Sequence, residues 1–187
     1  MKKLIAVLLS LLMLFSVLAF SASAAGEKNV ARMWFCSEIH NKTNIGHIFL
    51  YFENLTDKPI TVGRYTVAPY DDVSVGCFGT EGPRGGGVYY NLEQDLTHYH
   101  SLKATSTDLT EAELKAVTNK IKNYSHWDPI LNCYYFAAMG WNAGAESSIP
   151  FLVFPTFARL YIQMRGGISK PFDLFSQNDP VYRQNEL

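Results

Sequence analysis

The spacing of apolar and polar residues divides the chain into a strand-rich first half and a helical second half. Apolar residues run almost without interruption through residues 46–52, which predicts a strand buried on both faces. Shorter β-prone runs, separated by turns that carry Gly or Pro, predict further strands at residues 30–37, 60–68, 73–78, 88–90 and 101–107. The first half is therefore expected to form a β-sheet.

Apolar residues recur at helical spacing in the second half. A capping box at residues 110–113 predicts the start of a helix. The apolar stripe of that helix consists of Leu114, Val117 and Ile121. A second helix, apolar nearly all round, is predicted to begin at Asn132-Cys133 and to end near residues 142–144.

A third helix is predicted after Pro155, with Gly166-Gly167 ending it. The residues expected to face inward on this helix are Phe157, Leu160, Tyr161 and Met164. Strands first and helices later predict an α+β domain, in which an antiparallel sheet packs against helices.

The first 24 residues have the pattern of an export signal. Lys2 and Lys3 precede an apolar run at residues 4–20, and Ala22-Ser23-Ala24 offers the small residues that signal peptidase needs. We expect cleavage after Ala24 and one domain at residues 25–187, secreted into the extracellular space or held at the cell wall, with no stable membrane anchor after cleavage.

Composition agrees with one folded domain and disfavours nucleic acid as a partner. Of 187 residues, 48% are hydrophobic and 14% aromatic, which is enough to fill a core. Lys and Arg number 16 against 17 Asp and Glu, for a formal charge of -1. No basic field is therefore available to neutralise a row of phosphates.

Three cysteines follow the export signal: Cys36, Cys77 and Cys133. An oxidising compartment permits a disulfide, so Cys36 and Cys77 are expected either to pair or to stay buried. An odd number leaves at least one thiol, which is either an inert core residue or a reactive nucleophile.

Cys133 is the candidate nucleophile and His47 the candidate base. Asn132 is a favoured N-cap, so Cys133 is expected in the first helical turn, where free backbone N–H groups and the helix dipole stabilise a thiolate. His47 opens the apolar strand directly after Gly46, at a strand end where a site can form. Core packing is the alternative interpretation of both residues.

Neither a metal nor a cofactor is predicted. His98 and His100 have the spacing of two ligands on one strand face, but no third ligand accompanies them. The Gly-rich run at residues 82–87 is followed by neither a capped helix nor Lys-Ser/Thr, so it does not resemble a phosphate loop.

The pair Gly46-His47 before an apolar strand, with Asn132-Cys133-x-x-Phe136-Ala137 far downstream, resembles the circularly permuted papain-like thiol hydrolases and acyltransferases. In ordinary papain-like enzymes, including the NlpC-type cell-wall peptidases, the Cys helix comes first. The order of His before Cys is similar to lecithin:retinol acyltransferase and its bacterial relatives. The resemblance spans residues 47–142 and implies that Cys133 is the nucleophile and His47 the base.

The resemblance supplies no counterpart for a third residue that orients the imidazole. If residues 54–58 turn a hairpin, Tyr65 or Thr66 falls across from His47, and either hydroxyl could orient the ring. Glu53 lies six residues along the same strand, about 20 Å from His47, and is excluded.

The function expected from these residues is that of a secreted thiol amidase, peptidase or acyltransferase acting through an acyl-enzyme. Its substrate would be a peptide, a cell-wall component or an acyl compound. Asn132 and Trp141 are the candidate substrate-binding residues, with core packing as the alternative for Trp141. The alternative function is a non-catalytic exported binding module with the same cleft; a structural surface protein would show repeats or a sorting signal.

Overall fold

The computed structural model describes residues 27–39, 46–80, 82–95, 102–125, 127–128, 132–151, 155–169 and 179–187. The predicted export signal, its cleavage point, His98 and His100 lie outside the described residues. Within the described ranges, no helix is long and apolar enough to cross a membrane.

A seven-stranded sheet dominates the described part of the chain, and all its neighbouring strands pair antiparallel. Its members are β1 (Ala31–Ile39), β2 (Gly46–Asn54), β5 (Asp72–Phe78), β6 (Gly87–Tyr90), β7 (Lys103–Leu109), β8 (Ile168–Ser169) and β9 (Tyr182–Arg183). The order of these strands across the sheet is β8-β7-β1-β2-β5-β6-β9. The prediction of an α+β fold with a large antiparallel sheet is confirmed.

Strand β2 lies between β1 and β5 and is buried on both faces, as its apolar sequence predicts. Ile48 and Leu50 point into the main core beneath the helices, where both are fully buried. Phe49 and Tyr51 point to the opposite face and are 0% and 2% exposed. Side chains alternate between the two faces of a strand, so a strand that is buried on both faces has apolar residues at successive positions.

Residues 60–68 were predicted as one strand, but they form a hairpin of β3 (Ile60–Val62) and β4 (Tyr65–Val67). Gly63 makes the turn with a φ of 61°, a left-handed conformation that glycine adopts without steric cost. The hydroxyl of Tyr90 accepts a hydrogen bond from the Arg64 amide at 2.9 Å and lies against Gly63, where a Cβ atom would collide with it. A buried tyrosine thus anchors a turn that the alternation pattern does not reveal.

Helix α1 (Glu111–Lys122) and helix α2 (Cys133–Gly144) begin where the sequence predicts. Thr110 and Glu113 form the capping box of α1. The stripe of Leu114, Val117 and Ile121 is buried. Helix α2 packs its buried aromatic side chains on β1, and Trp141 meets the ring of Phe35 edge-on at 5.8 Å.

Helix α3 (Pro155–Met164) also begins and ends as predicted, but of the four residues expected to face inward only Tyr161, which is partly buried, packs against the main core. Ala158 and Ile162 are the fully buried residues. Phe157, Leu160 and Met164 are 49%, 53% and 78% exposed. The sequence of α3 is apolar on two sides, so hydrophobic spacing alone selected the wrong one.

Candidate active site

Cys133 is the first residue of α2 and lies at the end of the helix where backbone N–H groups are free of helical partners. The side-chain oxygen of Asn132 caps the helix by accepting hydrogen bonds from the amides of Tyr134 at 3.0 Å and Tyr135 at 3.3 Å. This cap does not use the amide of Cys133 itself. Asn132 therefore has a structural role in shaping the first turn, consistent with its N-cap pattern.

His47 is the second residue of β2 and brings an imidazole to the start of α2. Its side chain is 12% exposed. The ring lies 4.3 Å from the ring of Phe78 and 5.8 Å from that of Phe49, measured between centroids. His47 and Cys133 lie near enough that each shifts the pKa of the other. The fold therefore brings together the two residues that the sequence singled out for chemistry.

Glu93 is the third member of the cluster. Its Oε1 lies 3.2 Å from Nε2 of His47, and its side chain is fully buried. Glu93 thus occupies the Nε2 side of the imidazole ring. A buried carboxylate at one ring nitrogen restricts the direction of the imidazole.

Glu93 is held rigidly by the strand beneath it. Its Oε2 accepts a 2.6 Å hydrogen bond from the hydroxyl of Ser74 on β5. Asn91 ties the same segment to β5, because its amide donates to the carbonyl of Ser74 at 3.0 Å and its side-chain oxygen accepts from the Ser74 amide at 3.2 Å. Asn91 has a φ of 62°, and this left-handed turn directs the 3-10 helix Leu92–Asp95 back over the sheet.

Gly76 leaves the space in which His47 and Glu93 meet. A Cβ atom at this position would lie 2.8 Å from Nε2 of His47 and would also collide with Oε1 of Glu93. Gly76 pairs with Phe49 across the β2–β5 ladder, so it lies on the same sheet face as the imidazole. The glycine is therefore required for close approach, although its backbone needs no unusual conformation.

The electrostatics favour a thiolate–imidazolium pair. Burial opposes charge on both groups, but it is outweighed at each of them. The hydrogen bonds and charges of Cys133 and Glu93 raise the pKa of His47 to about 9. The hydrogen bond and charge of His47, together with the backbone amides of Ile48 and Tyr134, lower the pKa of Cys133.

The other two thiols are more deeply buried than Cys133. None of the three cysteines is in a disulfide, and Cys36 and Cys77 are 0% and 1% exposed. Burial, followed by the charge of Glu93, raises the pKa of Cys36 well above its ordinary value. Of the two outcomes expected for Cys36 and Cys77, the structure has the one in which both are buried without a disulfide.

Tyr65 and Thr66 do not lie beside His47, so that prediction is wrong. Tyr65 stacks on Tyr90 at 5.5 Å and contacts Tyr182 at 5.8 Å, while Thr66 pairs with Thr61 within the small hairpin. The prediction assumed that the strand after the 54–58 turn pairs with β2. In the structure β2 pairs instead with β1 and β5, and the hairpin of β3 and β4 forms a separate two-stranded sheet.

Trp141 is part of the core and presents no surface to a substrate. It is 1% exposed and donates its indole N–H to the carbonyl of Ser147 at 2.9 Å. Asn142 holds the same loop through two hydrogen bonds with the backbone of Ile149, at 2.8 and 2.6 Å. Both residues stabilise the segment that connects α2 with α3.

Aromatic side chains around the first turns of α2 are better placed to meet a substrate. Tyr135 packs against Phe151, which is 54% exposed, with ring centroids 5.1 Å apart and the rings tilted by 36°. Tyr124 lies 6.5 Å from Tyr135 and close enough to Cys133 that the thiol, after burial and other charges, helps to raise the pKa of Tyr124.

Glu93 is the functional candidate that the sequence did not single out. The sequence pattern around Glu93 matches no motif that assigns it a chemical role. The available signal was an acidic residue only three positions after a buried β-strand. A buried carboxylate needs partners, so such a position suggests a paired or catalytic group.

One acidic group among the described residues has the spacing to hold a metal ion. It comprises Asp71, Asp72 and Asp179, whose side-chain oxygens lie within 4.8 Å of one another. Exposed acidic clusters are common without a metal, and this one includes none of Cys133, His47 and Glu93.

The site brings a thiol whose pKa is lowered, an imidazole whose pKa is raised and a buried carboxylate side by side. That combination can attack a carbonyl carbon and deliver a proton to a leaving group. The amide of Cys133, at the start of α2, is available to an oxyanion that forms beside the sulfur. Comparison of the chain with protein-family models, with curated proteins and with solved structures finds no match.

Proposed function

We propose that the protein is a thiol hydrolase that cleaves amide or ester bonds through an acyl-enzyme on Cys133, with His47 as acid and base and Glu93 as the orienting carboxylate. The observation that carries this proposal is the position of His47 between the thiol and a buried glutamate. A titratable residue whose pKa is shifted by both a thiol and a buried carboxylate is a candidate for acid–base chemistry.

The first half-reaction forms a thioester. The thiolate of Cys133 attacks the carbonyl carbon, and the electron pair of the C=O bond moves onto the oxygen. When the oxyanion collapses, the bond to the leaving amine or alcohol breaks, and the imidazolium of His47 donates its proton to that departing atom. Glu93 stabilises the ring in the orientation that both transfers need.

The second half-reaction releases the acid. Neutral His47 removes a proton from water, and the hydroxide formed attacks the thioester carbon. Collapse of the second oxyanion breaks the carbon–sulfur bond, which releases the carboxylic acid and regenerates the thiolate opposite the imidazolium. An amine or alcohol in place of water gives acyl transfer instead.

A permuted papain-like arrangement is the fold interpretation that we propose with this function. Its support is the chain order, with His47 on a central strand before Cys133 on a later helix that packs on the same antiparallel sheet. The alternative of a non-catalytic binding module was based on the absence of an orienting residue. Glu93 weakens that alternative because it places a carboxylate beside Nε2 of His47, where it can orient the ring.

Alkylation with iodoacetamide gives the first test. We expect Cys133 to react at neutral pH, with a rate that rises at lower pH than the value of about 8.5 typical of a free thiol. The pKa of Cys133 is lowered, so its thiolate fraction is already large below that value. Peptide mapping by mass spectrometry would follow each thiol, with buried Cys36 and Cys77 as internal controls in the same molecule.

The substrate side of the proposal is tested with panels of peptide amides, muropeptides and acyl esters, followed by intact-mass detection of an acyl adduct on Cys133. Turnover of any panel with such an adduct supports the proposal. A well-folded protein that turns over none of them and whose Cys133 resists iodoacetamide contradicts it and favours the binding module.

Glu93→Gln is expected to reduce turnover by about 10- to 100-fold, because the amide keeps the shape but loses the charge that helps to hold the imidazolium. Glu93 raises the pKa of His47, so its loss lowers that pKa. The alkaline limb of the pH–rate profile, where His47 loses its proton, should move to lower pH.

Thr66→Val is the matched control for Glu93→Gln, since it removes one of the two hydroxyls that the sequence had suggested as the orienting group. Thr66 is exposed and pairs with Thr61 in the small hairpin, so turnover and the pH profile should stay at wild-type values. A Glu93→Gln protein with an unchanged alkaline limb would show that Glu93 does not act on His47.

A further inference from the structure

The exposed large apolar side chains of the described residues are concentrated around α3. Of the seven that are exposed, five lie between residues 151 and 168. Phe157, Leu160 and Met164 follow one side of α3 at helical spacing, and Ile168, 54% exposed, comes shortly after the helix. We refer to these four residues as the outer apolar stripe.

The exposure of this stripe does not come from a helix that packs loosely. The opposite side of α3 is committed to the core, where Ala158 and Ile162 are both fully buried. Helix α3 therefore has one apolar side on the sheet and a second one facing out. Contiguous apolar side chains on a surface mark an interaction site more often than scattered ones do.

Between Glu146 and Asp173, the sequence that contains the stripe carries charges of one sign. Residues 147–172 contain Arg159, Arg165 and Lys170 and no acidic residue, in a chain whose formal charge is -1. Arg165 is exposed at the end of α3, with its guanidinium 5.2 Å from the centre of the Tyr161 ring. Apolar side chains flanked by arginine are typical of helices that lie in the interface of an anionic membrane.

We propose that the outer apolar stripe docks on an anionic lipid surface, with Leu160 and Met164 in the acyl boundary and Arg165 at the level of the head groups. A second copy of the chain fits less well, because two facing stripes would bring the arginines of both copies together. This proposal does not depend on the proposed function of Cys133.

A fluorescent label on α3 reports on membrane contact at the outer apolar stripe, separately from membrane contact elsewhere on the chain. Met164→Cys in a Cys133→Ser background offers one exposed thiol, since Cys36 and Cys77 are buried. We expect an environment-sensitive label at residue 164 to shift to the blue with vesicles of mixed phosphatidylglycerol and phosphatidylcholine. Vesicles of phosphatidylcholine alone should give a much weaker shift.

The label at Lys115→Cys is the control, because residue 115 is exposed on α1 away from the stripe, and it should not shift. A label at residue 164 that keeps its aqueous spectrum with anionic vesicles would overturn the proposal. A shift that appears without vesicles and grows with protein concentration would overturn it in favour of a second copy.

Substitutions then separate the apolar and charged contributions to vesicle affinity. The double substitution Phe157→Gln and Leu160→Gln should weaken vesicle binding by about tenfold or more, because it removes two apolar side chains that insert into the membrane interface in the docked state. Arg165→Gln should weaken it by about fivefold. Tyr70→Asn removes an exposed ring elsewhere and suits the φ of 60° at that residue, so it should leave affinity unchanged. Equal affinity for all of these variants would show that α3 is not the docking surface.

Discussion

Serine in place of cysteine at position 133 is expected to lower turnover by about 10⁴-fold or more while leaving the fold intact. A serine hydroxyl has a far higher pKa than a thiol, and an imidazole that is arranged for a sulfur atom cannot ionise it. The Asn132 cap and the core contacts of α2 do not involve the sulfur, so stability should change little. The measurement is turnover of the best substrate from the panels, with circular dichroism as the check on folding.

Cys77→Ala is the matched control for this substitution. Cys77 is not in a disulfide and is 1% exposed in the main core, and its removal takes away no reacting atom of the proposed mechanism. Turnover by the folded fraction of Cys77→Ala should stay within about threefold of wild type, whatever the modest loss of stability from the small cavity. Similar turnover by wild type and Cys133→Ser would reject Cys133 as the nucleophile.

His47→Ala is expected to reduce turnover by about 100- to 10,000-fold, since it removes the proton donor and acceptor of both half-reactions. It should also move the alkylation profile of Cys133 to higher pH. His47 lowers the pKa of the Cys133 thiol, so without His47 the thiol ionises only at higher pH. The measurement is the iodoacetamide rate at Cys133 across the pH range, beside turnover.

The unfolded protein supplies the reference for that experiment. In concentrated urea, Cys133 should react at the rate of an ordinary thiol in both wild type and His47→Ala, because the pair no longer exists. An alkylation profile of folded His47→Ala that coincides with the folded wild-type profile would show that His47 does not activate the thiol, and would leave it as a packing residue between Phe49 and Phe78.

The parts of the site that could be predicted from sequence are those fixed by local structure. Asn132 caps the helix within two or three residues of itself, so the location of Cys133 at a helix start follows from neighbours in the chain. His47 stands out because a titratable ring opens an apolar strand. The capping box of α1 is equally local, and it is confirmed in detail.

The identity of the third residue depends on strand order, which local sequence does not determine. Pairing β2 with the next strand along the chain led to Tyr65 and Thr66, but β5 takes that position, and β6 pairs with β5. Glu93 reaches His47 only through that order, through the left-handed turn at Asn91 and through the absence of a side chain at Gly76. None of these three conditions is visible until the strands are paired.

The facing of α3 was unpredictable for a different reason. Hydrophobic spacing identifies a buried side only when the other side is polar, and α3 has large apolar residues on both. Small Ala158 and branched Ile162 fit against the sheet, whereas the larger Phe157 and Met164 remain outside. Periodicity weights the larger residues more heavily and so favours the wrong face.

The nucleophile and its base belong to opposite faces of one sheet. Helix α2 carries Cys133 and packs with the main core, whereas the ring of His47 lies against Phe49 and Phe78 on the other face. His47 is one residue from the beginning of β2, and strands open most readily at their ends. We expect opening of that strand end to separate the sulfur from the imidazole while the rest of the sheet stays paired. Heat or denaturant should then abolish the activity of the site through a local opening that costs much less free energy than global unfolding.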